Sequence, residues 1–280
     1  MSARAIVLAT ALALAPNLVE AQARCAGRDV PRDSVNALAD CLGDPNPEVR
    51  DGIAFEGLSK LLRSGSLDAA ALRGLKDRLL VVVARGGTAL ETSFPALTLA
   101  EVARTDRIKP WMNDAERQQM VDASAHFLNS ITDYRAFTQS EGFFHSVAHG
   151  ADFALQLALN PATTKPQLDR LLAAIALQVS PKDSSVAYWA GEPDRLARAV
   201  FFTAQRKLHS DEDWKQWFAT VMDPRPLAAW DAAFKSEAGI RKHHNARAFL
   251  LSVFATATTS DDAGIRQLLM PTREALKSVP

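Results

Sequence analysis

DYRAFTQSEGFFHSVAHGADFALQ, Asp133 to Gln156, is the stretch of this chain that does not read as an ordinary amphipathic helix. From Phe143 onward it reads as an almost wholly apolar helix with one narrow polar stripe: His145, His149, Asp152 and Gln156. The spacings are i, i+4, i+7 and i+11. At about 100° per residue, they put the four side chains within roughly 60° of one another. Every other position from Phe143 to Ala158 is apolar, Gly or Ser. A helix apolar on nearly all sides is buried on nearly all sides, so the stripe faces either a buried polar network or a cleft. Buried polar groups without partners cost about 1–3 kcal/mol each. Partners must therefore come from neighbouring segments, and Asp133 and Arg135 are the nearest charged ones in sequence.

On both sides of this stretch the chain repeats helix, short turn, helix. The expected helices are 34–42, 67–84, 91–104, 114–129, 166–179, 194–208, 211–222, 226–238, 241–257 and 261–277. Ser66, Asn113 and Ser210 stand at N-cap positions, and Gly86-Gly87 at a C-terminal stop. No run of alternating β-branched residues bounded by turns is present, so no β-sheet is expected. Helices of this length on short loops point to stacked pairs. The expected fold is all-α, an α–α superhelix of HEAT-like helical repeats, and residues 24–280 form one helical-repeat domain.

Residues 1–23 read as a secretory signal peptide. Arg4 supplies a basic start, Ala5–Ala15 an apolar core too short to span a bilayer, and small-residue cleavage patterns end at Ala21 and Ala23. The two cysteines, Cys25 and Cys41, lie just beyond it; in an oxidising compartment such a pair reads as a disulfide. The protein is therefore expected to be periplasmic or secreted, and soluble, with no membrane span. With 32 basic against 32 acidic residues, the formal net charge is +0. Nucleic acid, which needs a basic face to release counterions, is not an expected partner.

Two resemblances can be stated on these residues. Asp44-Pro45-Asn46-Pro47-Glu48-Val49-Arg50, between two amphipathic helices, resembles a HEAT-repeat turn. The central D-Y-R-A-F…E-G-F-F-H-S-V-A-H-G-A-D resembles the hallmark of a bacterial domain-of-unknown-function family, the one numbered 2785. Later segments, Glu192…Asp194-Arg195-Leu196-Ala197 and Asn245…Phe249-Leu250, look similar to it as well. The chain departs from the pattern at Ala136, in place of Gly, at Glu141, in place of Lys, and at Phe143-Phe144, in place of Trp-Ala. The resemblance implies a helical repeat fold and carries no activity with it.

The stripe admits three chemistries. His145 and His149 at i and i+4 have metal-ligand spacing, with Asp152 as a third ligand for a divalent metal and Asp133, Glu141 or Glu192 to complete the shell. No Glu stands in Ser146-Val147-Ala148, so this is not the H-E-x-x-H helix. A His–Asp pair is also half of an acid/base triad, but no G-x-S-x-G accompanies it. The third reading is a structural network or the lining of a ligand groove. The leading expectation is a binding or scaffold protein that takes a peptide or small molecule, with no obligatory cofactor. Its candidate locus is Asp133, Arg135, His145, His149, Asp152, Gln156 and Glu192. The alternative is a hydrolase-type enzyme, with or without metal, using His145, His149 and Asp152. Tyr188-Trp189 reads as the rim of a groove or as helix-end packing. Arg241-Lys242-His243-His244 reads as a solvated helix start, and Trp214 and Trp217 as core residues.

Overall fold

The chain is seen here as a computed structural model that describes Cys25 and residues 30–181 and 186–279. The signal peptide expected over residues 1–23 lies outside the described residues. Helix follows helix as the sequence predicts: α1 Val35–Asp40, α2 Glu56–Ser64, α3 Ala69–Arg85, α4 Ala89–Ile108, α5 Asp114–Ser130, α6 Ser146–Ala158, α7 Lys165–Val179, α8 Glu192–Gln205, α9 Asp211–Val221, α10 Glu237–Thr259, α11 Ala263–Gln267 and α12 Leu269–Ser278. A π-helical segment, Glu48–Phe55, runs directly into α2.

Local chemistry explains most of the boundaries. Asn113 accepts from the Glu116 N–H while the Glu116 side chain returns to the Asn113 N–H, closing a capping box on α5. Thr88 with Glu91, Thr164 with Gln167, and Ser210 with Asp213 do the same for α4, α7 and α9. The cap of α3 is Asp68, not the expected Ser66; its carboxylate accepts from the Ala71 N–H. Ser66 instead shares a hydroxyl bond with Ser64.

Helices two apart in sequence lie side by side. α3 packs on α5, α5 on α7 and α7 on α9; α4 packs on α6, α6 on α8 and α8 on α10; at the carboxyl end α9 packs on α12, three along. Contacts between α3 and α4, α5 and α6, and α7 and α8 join the two rows. The apolar face of each helix is buried there, with Leu99, Met120, Leu128, Phe153, Phe249 and Trp214 almost fully enclosed. Gly150, Gly239 and Gly264 stand at approaches too close for a Cβ without some shift. A Cβ on Gly150 of α6 would stand 2.6 Å from Leu128 of α5, and one on Gly264 of α11 would stand 2.3 Å from the Ala204 carbonyl oxygen.

The structure corrects three expectations. A small two-stranded antiparallel sheet is present: β1 Phe137–Thr138 pairs with β2 Gly142–Phe143, so Phe137 faces Phe143. Gly142, at φ +73, supplies a conformation that other residues resist. Residues 226–238 do not form an α-helix. Pro224 and Pro226 each bias the residue before them away from the α region, and the segment holds only a 3-10 turn, Trp230–Lys235. The segment 241–244 lies in the second turn of α10 and is solvated only in part: His244 is exposed, Arg241 and His243 are half-buried, and Lys242 is enclosed. Lys242 there is 3% exposed, its ammonium donating to Ser180 Oγ at 2.7 Å and lying over the Trp230 ring.

Cys25 and Cys41 form a disulfide, with Cα atoms 5.7 Å apart. No helix among the described residues is long and apolar enough to cross a membrane.

Candidate functional site

The central motif divides into three parts. Its first part, Asp133 to Ala136, is an extended approach; its second is the hairpin; its third is α6. The expectation that His145 lies on the same helix face as His149 is corrected here. His145 precedes α6 and takes a left-handed conformation, φ 50 and ψ 36, which is uncommon for a residue with a Cβ. Its backbone carbonyl still accepts from the His149 N–H at 2.8 Å, so it starts the helix without belonging to it.

The hairpin ahead of that bend is bonded by Arg50, from the π-helical segment ninety-odd residues earlier. Its guanidinium is 1% exposed and donates to the carbonyls of Asp44, Glu141 and Phe143, at 3.3, 2.8 and 3.2 Å, and to the Asp51 carboxylate at 2.7 Å. It also lies over the rings of Phe94 and Phe144. The hairpin is thereby fixed by its backbone to the amino-terminal part of the fold. Arg135 stacks on Phe144 with its guanidinium carbon 4.4 Å from the ring centre. Two cations over one buried ring are a favourable arrangement for the ring quadrupole.

The stripe residues have distinct partners. His149 is 5% exposed; its Nδ1 lies 3.2 Å from the Ser93 carbonyl oxygen on α4, and its ring meets Phe94 edge-on. A carbonyl can only accept, so Nδ1 carries the proton and Nε2 keeps its lone pair. Burial, with the charges of His145 and Arg195 adding to it, pushes the His149 pKa down to about 3. The ring is therefore neutral at any ordinary pH. His145 stacks between Phe143 and His149, with ring centres 4.6 and 5.9 Å away. Its pKa is also lowered, first by burial, against the opposing pull of Glu192. Asp152 accepts from Arg195 of α8 at 2.6 Å, and Gln156 from Arg107 of α4 at 3.3 Å. Burial raises the Asp152 pKa, and Arg195 and Arg198 offset part of that rise.

Asp133 and Arg135 are not the partners of the stripe. They pair with each other, Arg135 Nε and Nη2 donating to the Asp133 carboxylate at 2.9 and 2.7 Å. Asp133 also accepts from the Ala89 N–H at the start of α4, and these bonds hold its pKa below the ordinary value. Glu192, 3% exposed in the first turn of α8, accepts from the Ala190 N–H at 2.9 Å. Three arginines absent from the sequence-derived locus thus carry much of it: Arg50, Arg107 and Arg195. The signals were present but local. Arg50 closes the D-P-N-P-E-V-R turn, and Arg195 stands one turn after Glu192.

Asp133 and Arg135 line an open cleft of about 430 Å³ with Phe137 and Trp189. Trp189 is 69% exposed and Phe137 42%. Trp189 is held in place by its neighbour: Tyr188 is 3% exposed, donates its backbone N–H to Asn245 Oδ1 and its hydroxyl to the Gln178 carbonyl, both at 2.8 Å. The Tyr188 carbonyl meets His244 Nε2 at 2.9 Å.

Among the described residues no group of three or more His, Cys, Asp and Glu side chains is placed to hold a metal ion. The ligand types are present around His145 and His149, but Arg195 is close enough to lower the pKa of both rings. It would oppose a cation there as well. What the arrangement offers chemically is a fixed set of donors and acceptors beside two exposed aromatic faces.

A family model described as a protein of unknown function (DUF2785) matches residues 89–254. The match takes in the central motif, the hairpin and the helices from α4 into α10. No curated protein matches the chain, and no solved structure does.

Proposed function

The chain belongs to the DUF2785 family of proteins of unknown function, and from that premise we propose an exported, soluble helical-repeat protein that binds a peptide or small molecule at the central motif. The observation that carries this reading is the pairing of Phe137 and Trp189 across one cleft, beside the Asp133–Arg135 ion pair. Large exposed aromatics beside a concave surface are characteristic of recognition sites, since they offer apolar area at little entropic cost. Here both are presented from rigid backbone: Phe137 from the hairpin held by Arg50, Trp189 from the segment held by Asn245 and Gln178. His145 reaches this locus through the rings of Phe143 and Phe137, whereas Gln156, bonded to Arg107, lies toward the far end of α4. The two rows of helices that pack two apart in sequence support a HEAT-like superhelix. The Cys25–Cys41 disulfide supports passage through an oxidising compartment, hence a periplasmic or secreted location after removal of residues 1–23.

The test is a selection of peptides and of small molecules on the full chain, repeated on Trp189→Ala and Phe137→Ala. Ligands of this site lose at least tenfold in affinity in both variants, with far-UV circular dichroism unchanged. Selected ligands that bind both variants as tightly as the parent chain reject the site.

A further inference from the structure

A second concave site lies at the other end of α4. It is a cleft of about 350 Å³ between the last turns of that helix and the loop joining α2 to α3. Leu62, Leu67 and Leu72 give it an apolar wall, and Ile108, 61% exposed, extends that wall to the mouth. The volume falls in the range of pockets that enclose small ligands.

The charges around it are unequal. Arg63 is occupied by a two-bonded contact with the Glu101 carboxylate, at 2.8 and 2.5 Å. Asp68 is occupied as the cap of α3, accepting from the Ala71 N–H at 2.8 Å. Arg104 and Lys109 also line the cleft, and among the described residues neither side chain has an acidic partner. A helix C-terminus favours cations only modestly. One turn on from Arg104, Arg107 has its pKa lowered by burial and then by Arg104 itself, with Glu101 offsetting part of the fall. An apolar wall ending at two free cations matches one kind of ligand: an alkyl chain carrying an anion.

We infer that this cleft binds an aliphatic carboxylate, the chain against Leu62, Leu67 and Leu72 and the carboxylate between Arg104 and Lys109. Arginine and lysine both donate to carboxylate oxygens, and charge-assisted bonds of this kind are stronger than neutral ones. This site is separate from the aromatic cleft, so each stands or falls independently.

Titration calorimetry on the full chain with decanoate, below its micelle concentration, tests the inference, with decanol as the uncharged probe. One decanoate per chain is expected, with decanol at least tenfold weaker. Arg104→Gln combined with Lys109→Gln should weaken decanoate at least tenfold and leave decanol unchanged. Should that pair of changes disturb folding, Lys109→Gln alone, at an exposed position, should weaken decanoate at least threefold. Absence of saturable decanoate binding, equal affinity for decanol, or undiminished decanoate binding by the folded variants overturns it.

Discussion

Arg50 donates from Nη2 to the carbonyl oxygen of Phe143, ninety-three residues further along the chain. The same nitrogen reaches Glu141, and Nη1 reaches Asp44, so one side chain satisfies backbone on both sides of the contact. This guanidinium thereby ties the hairpin, just ahead of the start of α6 at Ser146, to the segment Glu48–Phe55. Arg50→Met keeps much of the volume but strands those carbonyls and removes the stacking on Phe94. A loss of about 3 kcal/mol in denaturant unfolding is expected, from unpaired buried acceptors at roughly 1–3 kcal/mol each with partial relaxation. Exchange of the Phe144 amide, whose N–H bonds the Ala136 carbonyl, should quicken at the same time.

Gly150 supplies the second test of the central motif. In isolation, alanine at a helical position gains about 1 kcal/mol over glycine. Here its Cβ would meet Leu128 at 2.6 Å and Phe127 at 3.1 Å, both in the closed seam between α6 and α5. Overpacking of that kind costs about 1–3 kcal/mol. Gly150→Ala is therefore expected to lower stability by roughly 1 kcal/mol net, read from the denaturation midpoint at constant slope.

How much of this was legible follows from the same residues. Helix positions were readable because caps such as Asn113 with Glu116 and Ser210 with Asp213 are written within four residues. The pairing of cysteines was readable because only two exist. The hairpin was not, because Phe143-Phe144 continue the apolar pattern of α6 without interruption, and the Arg50 bonds that hold it come from more than ninety residues away. The place of His145 ahead of the helix was hidden for the same reason. The stripe's orientation was readable for His149, Asp152 and Gln156, but their partners Ser93, Arg195 and Arg107 come from other helices, 43 to 56 positions away. Periodicity reports which face is buried and says nothing of what meets it.

Arg195 and Asp152 should behave as a coupled pair. Asp152 is mostly enclosed and its pKa is raised by burial, so its charge depends on the arginine that bonds it. Arg195→Met leaves a partly buried carboxylate with a weaker counter-charge and should cost about 1–3 kcal/mol near neutral pH. Asp152→Asn on that background should recover part of the loss. A double-mutant cycle with a coupling energy under about 0.3 kcal/mol would show the pair to be independent.

His149 gives the sharpest expectation, because its protonation differs between states. In the folded chain its pKa is about 3, against an ordinary 6.5 when exposed. Between those values the unfolded chain binds a proton there that the folded chain does not. Stability contributed by neutral His149 is thus fully present above about pH 6.5, declines as pH falls, and reaches its floor near pH 3. The limiting slope for one such group is about 1.4 kcal/mol per pH unit. His145, lowered in the same direction, adds to it. His149→Asn preserves a side-chain N–H near Ser93 and removes the titration. The variant should lose stability at pH 7 from the smaller ring volume, yet its stability should fall much less steeply between pH 6 and pH 4.5 than that of the parent chain. Urea titrations at half-unit steps across that window measure both slopes. Parallel slopes would mean that His149 is protonated in the folded chain, and the Nδ1-to-Ser93 arrangement of a neutral ring would be wrong.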